Sequence, residues 1–383
     1  MFQIPLGWLQ LKRQKLRFAV ALSGVALAVV LILMQLGFRE AMFASAVRFH
    51  DALDCDLVLV SSEQAYIVAP RSFSQRRLYQ ARGIEGVAAV SPMYLGMANF
   101  KNPQTHGSRS IFVVGVDPRA NVLGLPGLAE QLESLARQDV HLFDAHSRPE
   151  YGPIADRVRG QGRVDVSVNH REVSIGGLYS LGTSFGIDGS LLTSETNFLR
   201  LFGDRQRGLI ELGAIRLAPG ADRERVKAQM RDALEDDVLV LTREEFRAKE
   251  IAYWDAATPI GYVFSFGVIV GLVVGGIIVY QILFADVNDH LPEYATLKAM
   301  GYSNAYLAGV VLQQAVILAA CGFLPAVAIA IGLYRVSGEA TRLPLEMTNE
   351  RAIAVFLLTV VMCSVSALLA LRKVRSADPA EIF

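Results

Sequence analysis

Long apolar runs alternate with polar segments along the chain and predict membrane helices. Four windows contain no Asp, Glu, Lys or Arg. Each is long enough to cross a hydrocarbon core of roughly 30 Å, which takes about 20 helical residues. The third window opens on the turn residues "YSN" and contains Gly322 and Pro325, which indicate one kinked helix rather than a hairpin. We therefore predict four transmembrane helices, at 18–38, 256–285, 304–334 and 352–371.

Basic residues near the ends of these helices predict the orientation, because cytoplasmic segments are enriched in Lys and Arg. The first seventeen residues hold four basic residues and no acidic one, and the tail at 372–383 holds three basic residues. Both termini are therefore predicted to be cytoplasmic. The remaining segments are then a periplasmic domain at 39–255, a cytoplasmic loop at 286–303 and a short periplasmic loop at 335–351.

Residues 1–17 are predicted to form an interfacial helix on the cytoplasmic surface. Trp8 and the basic residues suit such a helix, because an indole favours the headgroup level and cations favour anionic lipid. The alternative is a cleaved signal peptide, since "ASA" at 44–46 has the form of a cleavage site. The apolar run exceeds the roughly 7–15 residues of a signal-peptide core, which favours a retained membrane helix.

The periplasmic segment contains two strand–helix–strand patterns that are far apart in sequence. "DLVLVS", "SFSQRRLYQARGI" and "VAAVSPMYL" form the first, and "IELGAIRLAP", a helix that starts at Asp222 and "DVLVLT" form the second. The two can pair in one sheet of the split βαβ kind, with the helices on one face. Residues 118–205 predict a β-rich insertion between them. Stalks at 39–53 and 242–260 are predicted to lead into the membrane, the second beginning with a capping box of Thr242 and Glu245.

Composition supports a membrane protein and excludes several functions. The chain is 52% hydrophobic and 19% charged, which is too apolar for a typical soluble protein. Its formal net charge is zero, so no basic surface for nucleic acid is indicated. No Gly-Lys pair occurs, so the sequence has no phosphate-binding loop and is expected to bind no nucleotide cofactor. The predicted spans lack ionisable Asp, Glu, Lys and Arg, which argues against a proton-driven carrier.

We expect neither a catalytic residue nor a metal site. "GTSFG" places Ser184 in the pattern of a hydrolase nucleophile, but the only histidine that follows it, His290, is predicted to lie on the other side of the membrane. Asp286, Asp289 and His290 are close in sequence, and we interpret them as groups that cap a helix or face water. The remaining histidines lack the spacing of a helical zinc pair.

Three glycines in the second span predict close helix packing. Gly267, Gly271 and Gly275 recur at four-residue intervals and therefore line one helix face, where another backbone can approach. The partner helix could belong to the same chain or to a second copy, and the sequence leaves both open.

A short polar helix is predicted in the cytoplasmic loop, within "DHLPEYATLKAMGYSN" at 289–304. Asp289 can cap its start, Pro292 is tolerated in a first turn, and Gly301 can adopt the left-handed conformation that ends a helix. The pattern by itself fits either a connector on the membrane surface or a docking element.

One side of this loop helix carries an apolar and aromatic ridge. Tyr294, Leu297 and Gly301 form the ridge, and Glu293 and Lys298 flank it. We expect the ridge to be exposed at the cytoplasmic surface.

Three segments resemble ABC transporter permeases of the MacB/FtsX type. "LPEYATLKAMGYSNAYL" resembles their cytoplasmic loop, in which a helix with the pattern E-x-x-x-L-K-A-x-G fits into the partner ATPase. "RKVRSADPAEIF" resembles their "DP-x-E" ending. Residues 4–47 are similar to the start of the DevC branch, whose permease is separate from its ATPase.

The resemblance implies a fold and a function. The fold is an α-helical membrane protein with four transmembrane helices and a large α+β periplasmic domain between helices 1 and 2. The implied function is that of the permease subunit of a tripartite efflux-type exporter in the bacterial inner membrane, with ATP and Mg bound by the partner and no cofactor in this chain. The implied partners are an ABC ATPase, a second copy of the chain, a periplasmic membrane-fusion protein, a TolC-like outer-membrane channel and membrane lipid. The implied ATPase-coupling residues are Glu293, Tyr294, Leu297, Lys298 and Gly301.

Other members of the same superfamily have functions that provide two alternatives. An FtsX-like protein would signal across the membrane to a periplasmic enzyme and move no cargo, and a further relative extracts lipoproteins from the inner membrane. The similarity of the start of the chain to the DevC branch favours export. The sequence does not identify the cargo, for which a glycolipid, a peptide, a siderophore and a drug remain open.

Overall fold

The computed structural model describes residues 15–256 and 259–376. The chain divides into a membrane unit (Met1–Ala41 and Pro259–Phe383) and an extramembrane unit (Met42–Thr258). Most of the predicted interfacial helix at 1–17 and the "DP-x-E" tail at 378–381 lie outside the described residues.

Eleven α-helices and eleven β-strands occur in the described part of the chain. The helices are α1 (Lys15–Ala46), α2 (Arg48–Ala52), α3 (Gln75–Arg82), α4 (Ile154–Gln161), α5 (Glu195–Leu201), α6 (Arg223–Ala233), α7 (Arg243–Ala256), α8 (Pro259–Asp289), α9 (Leu291–Ala299), α10 (Asn304–Thr341) and α11 (Asn349–Ser376). The strands are β1 (Leu57–Ser61), β2 (Phe73–Ser74), β3 (Val87–Lys101), β4 (Ser108–Val116), β5 (Val140–Asp144), β6 (Val164–Val168), β7 (Arg171–Tyr179), β8 (Ser190–Ser194), β9 (Leu209–Ile210), β10 (Leu212–Leu217) and β11 (Val238–Thr242).

Helices α1, α8, α10 and α11 are, within the described residues, the four that are long and apolar enough to cross a membrane. Helix α10 continues through Pro325 as a single helix, which confirms the prediction of one span there. Helix α1 has 32 residues, and at 1.5 Å per residue it is about 48 Å long, well beyond a roughly 30 Å core. The chain is therefore an α-helical membrane protein with four transmembrane helices.

The glycine face of α8 packs against α1 of the same chain. A Cβ added at Gly275 would lie 2.5 Å from the Ala28 Cβ, and one at Gly271 would lie 3.1 Å from the Ile32 Cγ1. A Cβ added at Gly267 would lie 2.5 Å from a glutamine side chain of α1. Real Cβ atoms do not approach heavy atoms below about 3.0 Å, so the close approach of the two helices needs glycine.

A polar cluster joins α1, α10 and α11 near one end of the membrane unit. The Arg351 guanidinium is 8% exposed and donates to a Glu40 carboxylate oxygen, with Nε 3.2 Å from Oε2. Its Nη1 also donates to the Tyr334 hydroxyl at 3.2 Å and to the Glu346 carbonyl at 2.8 Å. The Tyr334 hydroxyl in turn donates to the Leu33 carbonyl. These bonds satisfy a buried cation, which would otherwise be costly.

The extramembrane unit contains the predicted pair of strand–helix–strand patterns. Strands β11, β1, β10 and β3 are neighbours in that order, and all three pairings are antiparallel. Helices α3 and α6 cover one face of these strands, because Leu78 and Met230 pack in the same core as Leu57 and Leu59. The alternate strand residues Val58 and Val60 point into a second core on the other face. The split βαβ prediction is confirmed.

The predicted insertion is β-rich, but it continues the same sheet instead of forming a separate layer. Strand β3 is 15 residues long, and its first half pairs with β10 while its second half pairs with β4 and β6. Among the described residues, β3, β4, β8, β5, β7 and β6 therefore form a closed ring of six strands. The ring starts within β3, well before residue 118, where the insertion was predicted to begin.

Candidate coupling site

Helix α9 ends in a complete backbone cap. Gly301 has a φ of +95°, and its N–H donates to the Lys298 carbonyl at 3.0 Å. The Tyr302 N–H donates to the Leu297 carbonyl at 3.1 Å. These two bonds form a Schellman motif, in which a left-handed glycine satisfies the last carbonyls of the helix. The prediction that Gly301 ends the loop helix is confirmed.

The start of α9 differs from the prediction. Helix α8 runs through Asp289, and the residue that precedes α9 is His290, which makes no side-chain capping bond. The Tyr294 N–H donates to the His290 carbonyl at 3.0 Å, so helical hydrogen bonding resumes at once. The prediction that Asp289 caps α9 was therefore wrong, whereas Pro292 lies in the first turn as predicted.

Asp286 belongs to a buried polar cluster at the base of α8. It is 7% exposed and accepts a hydrogen bond of 2.9 Å from the Nε2 of Gln314, which lies on α10 and is fully buried. The His290 Nδ1 lies 2.8 Å from the Asp286 carbonyl oxygen. Asp286 was predicted to cap or face water, and its burial shows that this was wrong. The cluster instead ties the end of α8 to α10, and the sequence signal for it, one acidic residue just past an apolar run, was too weak to interpret.

Two residues of the predicted ridge, Tyr294 and Leu297, face the interior of the membrane unit, whereas Gly301 is exposed. Tyr294 is 3% exposed and belongs to the same core as Val287 and Val311. Leu297 is half-buried against that core. The expected exposure of the ridge was therefore wrong for Tyr294, because an amphipathic helix beside an apolar core buries its apolar side.

The opposite side of the loop is exposed, and of the residues that form it only Gly301 was predicted to belong to the exposed ridge. We define this outer face as Glu293, Lys298, Met300, Gly301 and Tyr302, all of which are exposed. Met300 is 63% and Tyr302 45% exposed, although both are large and apolar or aromatic. These two residues were not predicted from the sequence, although their position beside polar residues on the solvent side of a short helix is a signal that could have identified them.

The outer face is held rigidly to α10. The Ser303 hydroxyl accepts a hydrogen bond of 3.2 Å from the Tyr306 N–H and caps that helix. The rings of Tyr302 and Tyr306 are in contact, with centroids 4.8 Å apart. Only Tyr302 and Ser303 separate the left-handed Gly301 from the start of α10 at Asn304, and both of their backbones are hydrogen-bonded to the flanking helices. These contacts join the end of α9 to the start of α10.

Two further sequence features, the "GTSFG" motif and the possible metal ligands, can be compared with the structure. The "GTSFG" motif forms a tight turn, in which the Ser184 N–H donates to the Ile187 carbonyl at 2.8 Å and the Ser184 side chain is buried. Within the described residues, no group of three or more His, Cys, Asp or Glu side chains is arranged to hold a metal ion.

Comparison with known proteins agrees with this architecture. Residues 18–233, more than half of the chain, match the family model of the MacB-like periplasmic core domain, and residues 265–379 match the model of the FtsX-like permease C-terminal region. These two matches identify the chain as a permease of the ABC transporter class. The chain belongs to the MacB/FtsX superfamily. Membership implies an ABC ATPase partner and dimerisation.

Two solved structures of extramembrane domains match about half of the chain. The periplasmic region of MacB from Actinobacillus actinomycetemcomitans has 8% identity and a TM-score of 0.36, with 52% of this chain and 94% of that chain covered. The extracellular domain of the noncanonic ABC-type transporter YknZ from Gram-positive bacteria has 12% identity and a TM-score of 0.32, with coverages of 49% and 99%. No curated protein matches the sequence significantly.

Proposed function

We propose that this chain is the permease subunit of an ATP-driven exporter of the DevC type, whose ATPase is a separate polypeptide that binds ATP and Mg. The outer face of the loop carries the proposal. It offers a charged pair, Glu293 and Lys298, beside two exposed large side chains, Met300 and Tyr302, on a short helix whose other side is anchored in the membrane unit. Apolar anchors surrounded by charges are typical of protein docking sites.

The mechanism we propose is transmission of motion. Closure of the ATPases would push the outer face, and Tyr294 together with the cap at Gly301 would pass that displacement to α8 and α10. The Arg351 cluster connects α10 and α11 to α1, and α1 continues without a break beyond the membrane unit. The two chain segments that enter the extramembrane unit, at the end of α1 and along α7, would then move that unit to expel cargo.

The proposed assembly contains two copies of this chain, two ATPase subunits inside, a periplasmic membrane-fusion protein and a TolC-like outer-membrane channel. Both chain termini are proposed to lie in the cytoplasm and the membrane to be the bacterial inner membrane. The resemblance of the first residues to the DevC branch supports this arrangement over signalling. Co-purification of a membrane-fusion protein and a channel would support export, whereas co-purification of a cell-wall hydrolase would favour the signalling alternative.

Charge reversal on the outer face tests the coupling assignment. Glu293→Lys and Lys298→Glu should each reduce co-purification of the ATPase subunit by tenfold or more, which corresponds to about 1.4 kcal/mol of binding free energy per tenfold. Both residues are exposed, so the permease itself should keep its stability within about 0.5 kcal/mol. The matched control is Glu133→Lys, an exposed charge reversal in the extramembrane unit. Wild-type ATPase binding in both loop variants would show that the outer face is only a connector.

A further inference from the structure

Four aromatic side chains of the extramembrane unit form one surface, which we call the aromatic patch: Tyr66, Phe185, Tyr253 and Trp254. Tyr66 and Tyr253 are stacked with ring centroids 4.4 Å apart, and Tyr66 meets Trp254 edge-on at 5.5 Å. Phe185 meets Trp254 edge-on at 5.2 Å and is 48% exposed. Exposure of a phenylalanine ring to water is unfavourable. A contiguous, partly exposed patch of aromatic rings on a protein surface therefore points to a binding surface.

The tryptophan is held in a fixed orientation. Its Nε1–H donates to the Glu250 Oε1 at 2.9 Å, and the Glu250 Oε2 accepts from the Ile67 N–H at 3.0 Å. Glu250 is 2% exposed, so these bonds lie in a protected environment. The bonds join the loop that carries Tyr66 to helix α7, which carries Tyr253 and Trp254.

The loop that carries Phe185 is equally well fixed. Phe185 stands at the tip of a tight turn, in which the N–H groups of Ser184 and Ile187 donate to each other's carbonyl oxygens at 2.8 and 3.3 Å. A Cβ added at Gly186, also at the tip, would lie 2.7 Å from a Val68 methyl group, so this turn packs directly on the Tyr66 loop.

A buried carboxylate holds the base of this turn. Asp144 is fully buried and accepts from the N–H groups of Leu181 at 3.1 Å and Gly182 at 2.9 Å. The Arg48 guanidinium donates to the Thr183 carbonyl at 2.8 Å. The exposed position of Phe185 is therefore fixed by the hydrogen bonds of its loop.

Chain connectivity tethers one member of the patch, Trp254, to a membrane helix. Trp254 precedes Pro259, the first residue of α8, by five residues, and a chain of that length spans at most about 18 Å. Arg48, which holds the Phe185 loop, follows the end of α1 at Ala46 by two residues. Trp254 is therefore held within a short length of chain of the first residue of a membrane helix.

We propose that the aromatic patch inserts into the headgroup region of the lipid bilayer and anchors the extramembrane unit to the membrane surface. Trp and Tyr concentrate at this level because their rings have an apolar body and a polar edge. Phe185, the most exposed member of the patch with a purely apolar ring, would reach furthest toward the acyl chains. The inference rests on the membrane fold and is independent of the proposed export function.

Tryptophan fluorescence tests the proposal directly, because the chain contains only two tryptophans, Trp8 and Trp254. The full-length Trp8→Phe variant is reconstituted into phosphatidylcholine vesicles whose acyl chains carry bromine, a contact quencher, either near the headgroup end or near the terminal methyl. We expect strong quenching of Trp254 emission by bromine near the headgroup end and weaker quenching by the deeper bromine.

The decisive reporter is Phe185, because Trp254 is close to a span in sequence and Phe185 is not. Phe185→Trp is introduced into a Trp8→Phe, Trp254→Phe background, and Tyr66→Trp in the same background provides a second reporter from the patch. The matched control is Glu85→Trp, an exposed position in the turn before β3, at the far end of the sheet from the Tyr66 loop. Both patch reporters should be quenched at least twofold more than the control. Equal quenching of the patch reporters and Glu85→Trp overturns the proposal, as does emission that is shifted to the blue but protected from bromine, which would indicate a protein partner.

Discussion

At the scale of single residues, His50 and Glu250 form a buried pair in the extramembrane unit, and ionisation of either group opposes folding. The His50 Nε2 lies 3.6 Å from the Glu250 Oε2, and the side chains are 0% and 2% exposed. Burial raises the pKa of Glu250 from 4.5 to about 7. Burial, assisted by the charge of Arg247, lowers the pKa of His50 from 6.5 to about 3. Both groups are thus favoured in their neutral forms.

The two shifts have opposite consequences for stability as a function of pH. Glu250 binds its proton more tightly in the folded state, so its contribution is complete below pH 4.5 and is lost as the pH rises through 7. His50 binds its proton more weakly in the folded state, so its contribution is complete above pH 6.5 and is lost as the pH falls toward 3. Between pH 4.5 and 6.5 the two slopes therefore oppose each other.

Substitution of either group should leave the pH dependence of stability that the other group causes. Relative to the wild type, Glu250→Gln should make stability rise more steeply with pH between 4.5 and 6.5, and His50→Leu should shift the slope in the opposite direction, because only one titrating group then remains in the pair. The measurement is the thermal midpoint of full-length protein in detergent, followed by Trp254 emission in a Trp8→Phe background. Equal slopes in the two variants would contradict the assignment of these pKa shifts, because every other titrating group is common to both.

At the scale of elements, the loop helix shows which features local sequence encodes. Gly301 and Pro292 were placed correctly because conformational freedom at glycine and fixed geometry at proline act within one turn of chain. The buried side of the helix was assigned wrongly, because the environment of Tyr294 depends on α8 and α10 and no local pattern carries that information.

The two sides of the loop helix should therefore respond differently to truncation. Tyr294→Ala removes a fully packed aromatic ring and should lower the stability of the membrane unit by about 3–5 kcal/mol, the range for large buried aromatic residues. Met300→Ala removes an exposed side chain and should change stability by no more than about 0.5 kcal/mol while weakening ATPase binding. Thermal unfolding in detergent and ATPase co-purification measure the two effects. Equal destabilisation by both substitutions would contradict the orientation of α9.

The glycine face of α8 provides a second comparison between elements. Gly275→Ala would place a methyl group 2.5 Å from the Ala28 Cβ, so α1 and α8 must separate and stability should fall. Gly309→Ala on α10 meets nothing within 4 Å and should be neutral or stabilising, because alanine is the better helix former by about 1 kcal/mol. Thermal unfolding of the two variants in the same detergent gives the comparison. A neutral Gly275→Ala would show that the face does not pack closely.

At the scale of the whole molecule, contacts between distant segments limit what sequence can predict. The four spans followed from long runs without charged residues and the two strand–helix–strand patterns from periodicity, and both signals are local. The closed ring of strands did not follow from either, since it depends on β3 pairing with β6, Phe100 opposite Val168, across a long stretch of chain. The contact between Phe185 and Trp254 could not be predicted either, because the two residues are far apart in sequence.

Transmission of motion through the membrane unit, as proposed, requires that α1 move together with α10 and α11, and the Arg351 cluster is the connection that would enforce this. Glu40→Gln removes the charge that pairs with Arg351 but keeps the side-chain shape, so the fold should persist while the connection weakens. With the ATPase bound, we expect ATP hydrolysis close to wild type and export per ATP reduced several-fold. Glu339→Gln, at an exposed position on α10, is the matched control and should leave both rates unchanged. Full export per ATP in Glu40→Gln and also in Arg351→Leu would mean that force reaches the extramembrane unit by another route, with α7 as the remaining connection.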